Sequence, residues 1–321
     1  MNLALVLLAF TAGGLVALQS GINNTLRTVL RAPIGATLIS FAVGIAVLLV
    51  MVVVTGEGIP NEASLRSVPW WGYLGGPLGV VGVAGTILLI PRLGAATTVA
   101  LNITGQMLTS LVLDGESLLG VPYRAVSAER ALGAVVVVLG AVLISWQGSR
   151  RRLTSTATTS PDDGLTALER GPLAPRLLGL AGGLLIGTVL PIQSAINARL
   201  RSGLDAPFTA SSISFGGGVL ILLLLVLLIS SQRPRRTLLS EVPGWAFLGG
   251  VCGAVYVAST VILVPEFGTA VTTALIVSGQ NVVSLALDHF GWVRLPRRPA
   301  TARRVAGVAL LLVGVVLIEL G

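Results

Sequence analysis

The sequence has no lysine, one cysteine, one histidine and few charges of either sign. Charged residues fill 11% of its 321 positions, against roughly 25% in a soluble domain. Too little polar surface is left to keep the chain in water, and its mean hydropathy of +0.92 points to a bilayer as solvent. The lone Cys252 excludes an intramolecular disulfide. The lone His289 excludes a multi-histidine metal site. No Gly-Lys phosphate loop and no His-Glu metal helix is present. No cofactor and no metal are therefore expected, and ATP hydrolysis by this chain is not either.

What the sequence does have is long apolar runs. A span needs roughly 20 predominantly apolar residues to cross the hydrocarbon core. The first half offers Leu3–Leu26, Gly35–Thr55, Trp71–Ile90, Ala95–Leu113 and Ala131–Trp146. The second offers Leu177–Leu200, Thr209–Ser230, Trp245–Val264, Thr269–Leu287 and Val305–Leu320. The first run lacks a basic leading region and is read as a retained span rather than a signal peptide. Strands of a lipid-facing barrel would alternate polar and apolar residues, and these runs do not, which leaves helices.

The two halves align without a gap at a shift of 174 residues. Gln19-Ser20-Gly21-Ile22-Asn23 falls on Gln193-Ser194-Ala195-Ile196-Asn197, and Ala32-Pro33 falls on Ala206-Pro207. Ser40-Phe41 meets Ser214-Phe215, Pro91 meets Pro265, and Leu113-Asp114 meets Leu287-Asp288. Matches in so many polar and rare residues mark a duplication. The expected organisation is a first five-helix repeat over 1–147, a cytoplasmic linker over 148–174 and a second repeat over 175–321. The linker begins with three arginines and continues rich in Ser, Thr, Pro and Asp, a composition that suits solvated chain. Five spans is an odd number, so the second copy enters the membrane upside down. The predicted fold is an all-α integral membrane protein of ten transmembrane helices, arranged as two inverted five-helix repeats.

All 21 basic residues are arginine. Counted on alternate sides of the spans they divide sixteen against five, which predicts a cytoplasmic linker with both termini outside. The formal charge of +8 thereby finds its explanation at the membrane face, and no nucleic-acid partner is called for.

Polar residues inside the spans are the candidate site. Gln19 and Asn23 lie one helical turn apart on a shared face, as do Gln193 and Asn197. Amides within a span are costly unless they find partners or line a wet cavity, so these four are candidate substrate-binding groups or, alternatively, interhelical glue. Gln106 and Gln280 fall near mid-span, where inverted repeats meet around a substrate. Asp114 and Asp288 end the same faces and are candidates for gating or ion coupling, with solvated helix ends as the alternative. Asp114 has Glu116 as a sequence neighbour and is the candidate proton acceptor of the two, while Asp288 is expected to pair with Arg294, Arg297 or Arg298. The inverted topology puts the two aspartates at opposite faces, which rules out a shared-proton protease dyad. The chain is not expected to be an enzyme. Gly75 with Gly79, and Gly249 with Gly253, make small-xxx-small patterns that let helices approach closely.

With Gln-x-x-x-Asn in the first span, Pro91, Gly94 and Ala96 after the third, and Gly105-Gln106, Ser110 and Asp114 in the fourth, the sequence resembles the YdcZ-type inner-membrane exporters of the drug/metabolite transporter superfamily. The second copy repeats the pattern at Gln193, Asn197, Pro265, Gly268, Ala270, Gly279, Gln280, Ser284 and Asp288. The resemblance implies a plasma-membrane secondary transporter that exports a small metabolite or drug-like solute by alternating access. A non-transporting membrane scaffold or accessory subunit, or a lipid-handling protein, are the alternatives. The expected partners are the lipid bilayer and an unidentified small solute. A monomer suffices in principle, because both copies are fused in one chain.

Overall fold

A computed structural model describes residues 2–145, 173–291 and 300–321. Most of the expected linker, 148–172, lies outside the described residues, as do Arg294, Arg297 and Arg298. The described residues form helices and connecting turns with no strand. The long helices are α1 (Leu3–Leu30), α2 (Pro33–Thr55), α3 (Gly75–Leu93), α4 (Ala95–Gly115) and α5 (Ala128–Ser145) in the first copy. The second copy has α6 (Leu173–Leu204), α7 (Pro207–Leu228), α8 (Leu248–Phe290) and α9 (Ala302–Leu320).

Local chemistry sets the boundaries. Arg31 and Asp205 both adopt left-handed backbone (φ 51° and 50°) and are followed by Ala-Pro, which starts α2 and α7 with proline in the first turn. Gly56, at φ 71°, ends α2. Two expected spans, Trp245–Val264 and Thr269–Leu287, merge into the single long helix α8, whose backbone is helical except at Gly268 (φ 75°, ψ 175°). Gly268 divides α8 into a first limb, 248–267, and a second, 269–290. Its counterpart Gly94 (φ 78°, ψ 155°) separates α3 from α4. Both breaks need a residue that tolerates positive φ without a β-carbon clash. Pro265 lacks an N–H, so the Val261 carbonyl one turn earlier loses its helical donor. Arg201 supplies one, its Nη1 donating to the Val261 carbonyl at 3.1 Å and to that of Ile262 at 3.2 Å.

The two copies are related by exchange of contacts. Phe41 and Phe215, equivalent residues of α2 and α7, stack with ring centroids 5.0 Å apart. A β-carbon on Gly44 would strike Phe215, and one on Gly218, the Gly44 counterpart, would strike Phe41 at 2.6 Å. Likewise α5 and α9 cross so tightly that a β-carbon on Gly133 would lie 2.7 Å from the Gly314 carbonyl oxygen, and one on Gly140 the same distance from that of Gly307. Within each pair the partner of one residue is the copy of the other, with the order reversed along the helix. That is the signature of antiparallel mates around a two-fold axis across the helices, and it is the inverted repeat expected from the odd span number. The faces turned away from this interior carry exposed apolar residues such as Val53, Leu139, Leu185 and Leu228, as a lipid-facing surface requires. Among the described residues six helical stretches, including Leu3–Leu30, Pro33–Thr55 and Gly244–Phe290, are each long and apolar enough to cross a membrane.

Candidate functional site

The two-fold axis places the amides of each copy against the glycines of the other. Gln193 and Asn197 of α6 face Gly79 and Gly75 of α3. A β-carbon on Gly79 would sit 2.6 Å from Gln193 Nε2, and one on Gly75 would collide with Asn197 Oδ1 and come within 3.0 Å of Ser214 Oγ. The mates repeat this: Gln19 Nε2 would be 2.6 Å from a β-carbon on Gly253, and Asn23 Oδ1 would collide with one on Gly249. The small-xxx-small faces, read from sequence as packing surfaces, are the floors on which the amides rest.

These amides are not satisfied by the protein. Asn197 is 1% exposed, yet neither Oδ1 nor Nδ2 has a hydrogen-bond partner among the described residues. Asn23 Oδ1, Ser40 Oγ and Ser212 Oγ are also buried without one. A buried polar group left unpaired costs about 1–3 kcal/mol. Among the described residues Asn197 makes no bond to a neighbouring helix. Gln106 and Gln280 are half-buried. Each follows a glycine at a close helix crossing: a β-carbon on Gly105 would reach the Gly187 backbone at 3.0 Å, and one on Gly279 the Phe10 backbone.

The aspartates behave as clasps. Asp114, one residue before the end of α4, is fully buried. Its Oδ1 accepts from the Thr269 N–H and hydroxyl, both at 2.6 Å, and its Oδ2 accepts from the Ala270 N–H at 3.0 Å and Arg130 Nη2 at 2.8 Å. The carboxylate therefore caps the free N–H groups that open the second limb of α8 after Gly268, and Arg130 from the base of α5 neutralises it. Arg124 braces the same corner, its Nη2 donating to the Glu266 carbonyl at 2.7 Å. All four lone-pair positions of Asp114 are used. Arg130, sixteen residues on, is its ion-pair partner. Asp288 is held by Arg304 Nη2 at 2.5 Å, and its side chain is 25% exposed. The expected partners Arg294, Arg297 and Arg298 lie outside the described residues. Sequence reading passed over Arg130 and Arg304, although a signal existed: an arginine follows each aspartate by sixteen residues.

The two ends of the molecule differ in closure. At the Asp114 end, α6 packs on the first limb of α8: Ala195, Ala198, Val264 and Leu113 share one apolar cluster, and Leu200, Leu204, Ala258 and Val261 belong to another. At the Asp288 end the equivalents Leu26 and Leu30 cluster with Val242 and Ala246, as Leu200 and Leu204 do with Val68, but no described residue of α3 joins that cluster. Val83 of α3 is 40% exposed, whereas its copy Val257 is 6% exposed. Ile90 is 40% exposed and its copy Val264 is wholly buried. Ser20 is exposed and its copy Ser194 buried. The Asp114 end is shut and the Asp288 end is splayed.

Known proteins align with this picture. The family described as "Putative inner membrane exporter, YdcZ" matches residues 4–143 and again 178–317. The chain is 34% identical over 151 residues to "Inner membrane protein YdcZ" of Escherichia coli (strain K12), a match spanning 45% of this chain and 97% of that one. A solved structure described as "Crystal structure of protein" superposes over 100% of this chain and 99% of its own at a TM-score of 0.68, with 16% identity. At that identity the likeness concerns the fold alone.

Proposed function

This chain belongs to the YdcZ family of multi-pass inner membrane proteins, in a form with two copies of the family unit, and on that premise we propose that it is a secondary transporter exporting a small solute by alternating access between its inverted halves. The observation that carries the reading is the unequal closure of two ends built from equivalent residues. A two-fold molecule whose mates pack differently has a second state of comparable energy available, in which the ends exchange roles. In this reading Gln19, Asn23, Gln193 and Asn197 contact the solute, Gln106 and Gln280 line its mid-membrane path, and the Asp114–Arg130 and Asp288–Arg304 clasps act as gates. The arginine distribution supports an outward-facing Asp114 end and a cytoplasmic linker, so the splayed end would open to the cytoplasm, as loading for export requires.

Two experiments test this. In a Cys252→Ser background, Ala198→Cys with Val264→Cys would lock α6 to α8 by oxidative crosslinking. Proteoliposomes loaded with a panel of small metabolites and dyes should release at least one faster than protein-free vesicles do. Crosslinking should stop that release and reductant should restore it. Release unaffected by the lock, or no release of any solute, overturns the proposal. For orientation, an impermeant maleimide should label Gly321→Cys but not Ser155→Cys in intact cells; the reverse pattern inverts the topology.

A further inference from the structure

The amide stations also carry information about what they take. Resting on the transport reading and deepening it, we propose that the site binds a solute of no net charge that both donates and accepts hydrogen bonds, of the polyol, nucleoside or primary-amide kind. Three observations converge on this class.

Asn197 offers an acceptor and two donors, all buried and all unpartnered. A ligand with only acceptors, or only donors, would leave half of that amide unsatisfied. Ser214 Oγ lies against the same glycine floor at Gly75. At the related station, Asn23 Oδ1 and Ser40 Oγ are unpartnered in the same way. Amides and hydroxyls thus face the solute at both ends.

No uncompensated charge faces the Asn197 station. Asp114 is saturated by Arg130, Thr269 and Ala270, and Asp288 is paired with Arg304. Arg201 Nη1 donates to the Val261 and Ile262 carbonyls and Arg124 Nη2 to that of Glu266. At the Asn197 station a cationic solute would find no free carboxylate, and an anionic one no free guanidinium; Arg27, half-buried one turn past Asn23, belongs to the other station, and a desolvated charge without a partner is strongly disfavoured. Finally, an amide kept unpaired in both copies, with a glycine opposite each time, is a group held ready for an absent partner rather than one stabilising the fold.

The test uses purified full-length protein in detergent micelles and three probe sets: glycerol, xylitol, glucose, uridine and nicotinamide as neutral solutes; ethidium and tetraphenylphosphonium as cations; succinate and lactate as anions. Binding is read by calorimetric titration, and thermal midpoints are recorded on the same samples. At least one neutral probe should bind. Asn197→Ala and Asn23→Ala should each weaken its binding tenfold or more without lowering the ligand-free midpoint, because neither change breaks an existing bond. A charged probe bound in an Asn197-dependent manner overturns the proposal. So does failure of every probe to bind, or neutral binding that both variants retain. Neutral binding that depends on Asn197 while no proteoliposome releases the bound solute upholds this inference and defeats the transport reading.

Discussion

The Asp114 end and the Asp288 end are built from corresponding elements of the two copies and share the aspartate, the arginine and the amide pair, yet one is sealed and the other is not. At the sealed end the carboxylate sits on a helix start, an arginine closes over it, and α6 lies along α8 through apolar contacts. At the splayed end the matching aspartate and arginine still meet, but around them the helices stand apart and valine and isoleucine surfaces are exposed. The clasp can therefore form without closure. What distinguishes the ends is helix packing, not the ion pair, and the amides feel the difference: Asn197 is enclosed while Asn23 is half-buried.

The strongest way to break this comparison is to remove one carboxylate at a time. Asp114→Ala strands Arg130 in the interior and uncaps the second limb of α8, which should cost about 3–5 kcal/mol. Asp288→Ala removes a partly exposed pair and should cost about 1 kcal/mol or less. Thermal midpoints in one detergent would show whether the two variants separate; equal losses would mean the ends are energetically alike. Next in size are the glycine floors. Gly75→Ala drives a β-carbon onto an enclosed Asn197 and should destabilise by about 1–3 kcal/mol. Gly249→Ala meets a half-buried Asn23 that has room to turn, and its effect should be visibly smaller in the same assay. Gln106→Ala and Gln280→Ala should change stability by no more than about 1 kcal/mol while each lowers solute release from proteoliposomes. If both variants release solute at the wild-type rate, these glutamines are packing residues.

The smallest expected contrast lies in two helix caps. At the sealed end Glu57 accepts from the Phe208 N–H at 3.1 Å and the Thr209 N–H at 2.7 Å, so its carboxylate caps α7. At the splayed end Gln232 accepts from the Ile34 N–H at 3.1 Å and caps α2 with a neutral amide. Glu57→Ala should cost about 1 kcal/mol and Gln232→Ala roughly half of that. Melting curves of the two variants side by side would reveal any reversal of that order.

The duplication, the span count, the inverted topology and the amide pairs were all legible in the sequence. Those features follow from composition, from periodicity along one helix and from an odd number of crossings, and none needs knowledge of which helix lies beside which. Gln19 and Asn23 share a face because 3.6 residues make a turn, whatever they touch. Their partners were beyond reach. That the amides rest on glycines of the opposite copy, that Asp114 caps a helix broken at Gly268, and that Arg130 neutralises it are contacts between residues apart in the chain. The unequal closure of the two ends lies furthest from sequence, because the residues that pack α6 on α8 come from segments far apart in the chain. Only the tertiary packing of α6 on α8 shows which of the two is shut, because apolar contacts between helices distant in sequence close that end.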